Sequence, residues 1–392
     1  MAERAASGRR PWNLIRVMPA EAMHTEAAAP KRSTYDLVVV GGGIVGLSCA
    51  WRAAQSGAQV LCAERDVPGA GASGVAAGML APVTEADFGE EDLLAQNLES
   101  RDLWPGFAAE LEELTGMPTG YADTGALVVA ADRDDAEELR RLHEFRRGLG
   151  LDSEWLGPRA ARSLEPGLSP RIAGAVAARQ DGQVDPPAVV AALARALREA
   201  GGELLTGTPV EGLTGGGRVS GVRLPSGTVE AGAVLVAAGA WSADGVLTSE
   251  AGAPAVRPVK GQLLELRVRR GRPRLATRVI RTPRCYVVTR SDGRIVLGAT
   301  VEEQGFDTAV TADGVFRLLE AAYEVLPDVA ELELVDARAG LRPVMPDGRP
   351  VIGAAEVEGL MWATGHGRNG VLLAPLTAKR IAAALRDRAG VA

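Results

Sequence analysis

The 392-residue sequence predicts an α/β chain, α+β overall, in which a parallel sheet built from separated stretches carries an inserted antiparallel sheet. Three observations predict it. The apolar run Leu37 to Val40 leads into glycines 41, 43 and 46 and then a helical stretch. Two further apolar strands that end in glycine, Ala233 to Ala238 and Leu360 to Thr364, recur far along the chain. Between them Pro258 to Val268, Cys285 to Arg290 and Arg294 to Thr300 read as antiparallel strands, the last two joined as a hairpin through Ser291-Asp292-Gly293. The expected organisation is therefore one discontinuous domain over residues 35–120, 172–255 and 335–392, and a second over 121–171 and 256–334.

The first unit carries the strongest chemical signal. Gly41, Gly43 and Gly46 supply the G-x-G-x-x-G spacing after a buried strand. Gly41 permits the tight turn, Gly43 keeps side chains away from a pyrophosphate, and Gly46 lets the helix from about Ile44 to Ser56 pack on the strand. Free N–H groups at that helix start, near Ile44 and Val45, favour a phosphate anion. Gly57 is the expected C-cap, and the next strand, Gln59 to Ala63, ends in Glu64, an acceptor for ribose hydroxyls that would repel a 2′-phosphate. The arrangement is Rossmann-like and specifies a dinucleotide other than NADP.

Pro68 to Pro82 is a run of small residues, read as a loop pressed against something large and flat. Glu90 to Leu114 reads as a helix interrupted near Pro105, and Asp132 to Arg147 as an exposed helix with acids first and arginines last, matching its dipole. Asp185-Pro-Pro opens a helix from Ala188 to Ala200. The C-terminal glycine-rich loop, 365–370, leads into a helix from Val371 to Arg386, so a second helix start, at Gly370, is available to the same ligand. It would face the pyrimidine edge of an isoalloxazine ring and stabilise charge that develops there on reduction.

Composition narrows the function. A net charge of -7 argues against nucleic acid as a partner. The longest apolar run, Leu37 to Trp51, is too short and glycine-rich for a membrane span. Cys49, Cys62 and Cys285 lack metal-ligand spacing, so no metal is expected, and buried, reduced thiols fit a cytoplasmic protein. With three histidines, 24, 143 and 366, a His-based triad is hard to build. Only Lys31, Lys260 and Lys379 among 43 basic residues are lysine, so any one arginine is weak evidence of function. Residues 1–34, with six basic and three acidic residues and no apolar periodicity, read as a disordered extension.

Five stretches together resemble the FAD-dependent glycine and D-amino-acid oxidase family, over about Tyr35 to Leu385: Asp36 to Ser48, Ala72 to Pro82, Cys285 to Arg290 with Gly298-Ala-Thr, Ala339 to Pro343, and Gly365 to Pro375. The resemblance implies non-covalent FAD, with no cysteine in the Gly-Leu-Arg-Pro segment or the Gly-His-Gly-Arg-Asn-Gly loop. It assigns the cofactor to Gly41, Gly43, Ile44, Val45, Gly46, Glu64, Arg65, Ala72, Ser73, Ala77, Gly78, Met79, Val210, Ala238, Gly239, Trp241 and the run His366, Gly367, Arg368, Asn369, Gly370, Val371, Leu372. Arg342 would clamp a substrate carboxylate, Tyr286 would add a hydroxyl to it, Arg368 would line the pocket and Met79 would pack near the reactive edge of the flavin.

The implied reaction is oxidation of glycine, or of sarcosine or a small D-amino acid, by hydride transfer from Cα to flavin N5. The products are an imino acid or glyoxylate, ammonia and, from O2, hydrogen peroxide; the imine can also feed thiazole synthesis. The alternative is a D-amino-acid dehydrogenase or sarcosine-type amine oxidase with a similar site. Val301 and Gly367 depart from bulkier residues of the family and imply a larger pocket. A homo-oligomer is expected.

Overall fold

The computed structural model describes residues 29–247 and 253–388. Its first sheet runs, edge to edge, through Val351–Ala354, Leu360–Thr364, Gly227–Val236, Thr34–Val40, Val60–Ala63 and Glu203–Leu205. The five strands after the antiparallel edge Val351–Ala354 are joined by four parallel pairings, with Val38 opposite Val234 and Leu61, and Leu61 opposite Glu203. Alternate side chains of the first strand serve two cores. Leu37 and Val39 meet the helices Ile44–Gln55, Glu91–Thr115, Pro186–Glu199 and Ala374–Arg388, around Trp51, Trp104, Leu193 and Ile381. Val38 and Val40 meet a small antiparallel meander, Gly212–Thr214 and Gly221–Leu224, through Val222 and Leu224. Burial on both faces explains why the strand reads as an unbroken apolar run.

The second sheet runs Glu333–Val344, Arg257–Arg267, Arg294–Gly298, Tyr286–Thr289, Val279–Arg281, Ala126–Ala130, Gly174–Ala178 and Ser153–Leu156. All its pairings are antiparallel except that of Val279–Arg281 with Ala126–Ala130. The helix Ala312–Val325 packs Leu318, Ala322 and Val325 against Leu264, Leu266, Ile295 and Leu297 on one face. The other face presents Leu263, Val288 and Val296 to Ala77 and Met79 of the small-residue loop.

Several expectations need correcting. The helix Glu91–Thr115 passes Pro105 without interruption, because that residue is exposed while Trp104, Phe107 and Leu111 anchor the opposite side. The C-terminal helix starts at Ala374, three residues later than expected, and the 3-10 turn Gly367–Asn369 opens that region in place of Gly370. The boundaries expected at 172 and 335 cut through second-sheet material: Gly174–Ala178 pairs with Ala126–Ala130, and Glu333–Val344 pairs along its length with Arg257–Arg267. The latter strand is not evident in the sequence because its first third, Glu-Leu-Val-Asp, is exposed on both faces and lacks alternation. Of the expected N-terminal extension, residues 1–28 lie outside the described residues, and the first strand begins at Thr34.

Candidate active site

One cavity of about 1010 Å³ lies between the two sheets, at the upper end of the range that encloses a small-molecule ligand. One end is made largely of backbone. Gly41 turns with φ +108°, and a Cβ there would come within 2.5 Å of the Ala237 carbonyl oxygen. A Cβ on Gly46 would meet the Gly41 oxygen at 2.1 Å, so this glycine serves helix packing and does not line the cavity. The helix Ile44–Gln55 has no side-chain cap at Gly43, but the Ile44 amide, expected to be free, donates to Ser73 Oγ at 3.0 Å. Glu64 accepts from the amides of Gly42 (2.7 Å) and Asp66 (2.9 Å), which fixes the turn while leaving lone pairs facing the cavity.

The cavity wall contains every residue expected to hold the cofactor except Gly46 and Leu372. Leu372 turns away: it is buried, and its carbonyl accepts from Ser100 Oγ (2.6 Å) and Trp104 Nε1 (2.9 Å) of the neighbouring helix. Arg65 stacks over the Trp241 ring at 3.8 Å. His366 joins Thr377 Oγ1 at 2.9 Å, and burial pulls its pKa down to about 4. It is therefore a neutral hinge between turn and helix, unsuited to proton transfer near neutrality. Ala77, Gly78 and Met79 are held by buried Arg290, which donates to the Ala77 carbonyl (2.6 Å), the Val184 carbonyl (2.5 Å) and Gln183 Oε1 (2.8 Å). An uncapped helix start, an acid at the adjacent strand end and a second glycine turn facing one long cavity fit a dinucleotide that carries a large flat ring.

The other end is built from side chains. Arg342, from Glu333–Val344, lies over Gly261, where a Cβ would come within 2.4 Å of its Nη1. Tyr286 lies over Gly298, whose added Cβ would meet the phenol oxygen at 2.6 Å. The two glycines hollow the sheet surface so that a guanidinium and a phenol can lie side by side on it. Arg342 Nη1 donates to the carbonyls of Thr300 (3.1 Å) and Lys260 (3.4 Å), and among the described residues no carboxylate pairs with it. Burial raises the Tyr286 phenol above its ordinary value, and the guanidinium beside it opposes that rise. Tyr286 is therefore a neutral hydroxyl donor at neutral pH.

Arg368 lines the cavity, but its guanidinium is engaged by Glu90 and by Glu85 Oε2 at 3.6 Å. Glu85 also faces Arg281 at 3.5 Å. Neither Glu85 nor Arg281 stood out in the sequence; an acid three residues beyond the small-residue run was the available signal. The segment carrying Glu85 is clamped on both sides. Asp181, fully buried, accepts from the amides of Val83 and Thr84 (3.0 Å each) and from Thr84 Oγ1 (2.6 Å). Buried Arg146 donates to the carbonyls of Thr84 (2.8 Å) and Ala86 (3.1 Å). Burial pushes the Asp181 carboxyl up to about 6 despite those hydrogen bonds. Cys49, Cys62 and Cys285 are buried and unpaired. Among the described residues there is no metal-type cluster and no helix long and apolar enough to cross a membrane.

Comparison with known proteins agrees with this geometry. Residues 36–384 match the family described as FAD dependent oxidoreductase, DAO. The chain is 38% identical over 351 residues to glycine oxidase of Geobacillus kaustophilus, covering 89% of this chain and 92% of that protein. The crystal structure of glycine oxidase from that organism superposes with a TM-score of 0.85 at 36% identity, over 91% of this chain and 95% of the other. The bifunctional protein ThiO/ThiG of Trichormus variabilis is 35% identical over 352 residues, and this chain spans 52% of its length. Matched over most of its length, the chain belongs to the DAO family of FAD dependent oxidoreductases, enzymes whose cofactor is FAD.

Proposed function

We propose that this protein catalyses the FAD-dependent oxidative deamination of glycine, with sarcosine and small D-amino acids as further substrates. The products are an imino acid, hydrolysed to the oxoacid and ammonia, and hydrogen peroxide. One observation carries the reading: Arg342, without a carboxylate partner among the described residues, lies beside the Tyr286 hydroxyl in the same cavity as the glycine turn. A planar guanidinium binds a carboxylate through two parallel hydrogen bonds, and a neutral phenol adds a third. The similarity to glycine oxidase supports the smallest substrate, and the similarity to ThiO/ThiG supports a role in thiazole formation for thiamine. Val301, 76% exposed, and Gly367, with open space where a Cβ would stand, leave room for an N-methyl or a small D side chain. Buried, unpaired cysteines agree with a cytoplasmic setting.

The non-covalently bound flavin supplies a hydride acceptor and, with O2, the route to peroxide. The residues of the chain bind and orient. Arg342 and Tyr286 would fix the carboxylate and so aim the substrate Cα, which makes the reaction within the bound complex effectively unimolecular. Glu85, held between Arg281 and Arg368, closes the charged side of the cavity. No side chain is needed as base if the amine arrives unprotonated, in keeping with a neutral, hydrogen-bonded His366. Catalytic efficiency is therefore expected to rise with pH as the free amine fraction grows, from about pH 6 toward about pH 10. Peroxide production from glycine, sarcosine and D-alanine, followed over that interval, tests both points. A flat profile would exclude amine deprotonation as the control, and no peroxide from any of the three would exclude the oxidase.

A further inference from the structure

Along the strand Arg257–Arg267, alternate residues face opposite ways. Val259 and Gly261 line the cavity beneath Arg342, whereas Lys260 and Gln262 point to the back of the sheet. Lys260 is 1% exposed, and its ammonium reaches Asp307 at 2.8 Å and Glu302 at 3.7 Å. Burying an ammonium is unfavourable unless partners offset it, so a lysine at this position needs a reason. It is also one of only three lysines among 43 basic residues, in a chain that otherwise uses arginine. Three rotatable donors on a flexible stem let the one ammonium reach both carboxylates from its enclosed position.

The partners of Lys260 lead back to the site. Its backbone exchanges two hydrogen bonds with that of Glu302 (2.9 and 3.0 Å). Thr300 Oγ1 accepts from the Gln262 amide (2.8 Å) and bonds to Glu302, and Gln262 continues to Thr311. In this segment the even positions 300 and 302 turn to the network, while Ala299, Val301 and Glu303 line the cavity. Both carbonyls that hold the Arg342 guanidinium, those of Thr300 and Lys260, belong to this array. We propose that Lys260 is a positioning residue for substrate capture: held by Asp307 and Glu302, it ties the 299–311 segment to the back of the strand and fixes the carbonyl of Thr300 that orients Arg342.

This inference rests on the reading of Arg342 as the carboxylate clamp, so Lys260→Met and Arg342→Ala are compared in the full flavin-loaded chain. The measurements are KM and kcat for glycine, the dissociation constant of acetate from the flavin absorbance change, and flavin content. Misaiming one charged donor pair should raise KM and the acetate constant about tenfold in Lys260→Met, with kcat within about threefold and flavin retained. Unchanged constants in Lys260→Met, beside a severe loss in Arg342→Ala, overturn the positioning role and leave the clamp standing. Unchanged constants in Arg342→Ala remove both. If Lys260→Met is recovered without flavin, Glu302→Gln decides: a rise in KM alone supports the role, and an unchanged KM overturns it.

Discussion

The two ends of the cavity are built on different principles. At the cofactor end, the glycine turn, the uncapped start of Ile44–Gln55 and Glu64 come from one stretch of chain, and most of the contacts offered are backbone groups. At the substrate end, Arg342, Tyr286, Gly261 and Gly298 come from four strands and meet only through strand pairing. Recognition by backbone needs a local conformation, which a short motif specifies. Recognition by side chains needs a register between distant strands, which no local pattern reports.

Exchanging damage between the ends gives the largest expected effects. Arg342→Ala should lower kcat/KM for glycine about a hundredfold or more, with flavin retained; unchanged steady-state kinetics would remove the residue from the site. Gly41→Ala should do the reverse and yield protein depleted of flavin. A side chain at φ +108° and 2.5 Å from the Ala237 oxygen forces a strain of about 1–3 kcal/mol or more on the turn. If Gly41→Ala copurifies with a full complement of flavin, the backbone account of that end is wrong.

A smaller effect is expected from the clamp between the ends. In Asp181→Asn one of the two acceptor oxygens becomes an NH2 group that faces the amide donor of either Val83 or Thr84, so the Glu85 segment loosens and kcat/KM falls about tenfold. Faster proteolysis within residues 82–90 would accompany it; wild-type kinetics would show that the segment does not shape the site.

The smallest effect lies in the pH dependence of stability. His366 is held neutral, with a pKa near 4 against 6.5 in the unfolded chain, so the unfolded state takes the proton first on acidification. Stability from this residue is therefore lost as pH falls from about 6.5 toward about 4. Asp181 works in the opposite sense: its folded value of about 6 against 3.8 makes the folded state take the proton first, so acidification over that window adds stability. In thermal melts, His366→Gln should flatten the acid-side decline and Asp181→Asn should steepen it. Identical melting profiles for wild type and both variants would show that neither burial acts as described.

How much the sequence revealed follows the same division. The glycine turn, Glu64, the strand Leu360–Thr364 and the turn after it were legible, because each is a contiguous pattern with one physical solution. Pro105 misled because its exposed position within a helix anchored by Trp104 and Phe107 depends on tertiary packing. Leu372 misled because one step along a turn carries a side chain from the cavity to the helix layer. Arg342 and Tyr286 were named only through resemblance, since one arginine among many carries no signal of its own. Gly261, Lys260 and Glu85 escaped entirely, as their roles exist only after Arg257–Arg267 pairs with Glu333–Val344 and the clamp on Val83 and Thr84 closes.

The most direct measurement mixes purified, flavin-loaded protein with glycine in the absence of O2 and follows the yellow absorbance band. The band should bleach within the mixing series in wild type and persist in Arg342→Ala under the same conditions. A wild-type protein that binds FAD yet stays yellow with glycine, sarcosine and D-alanine alike would contradict the account.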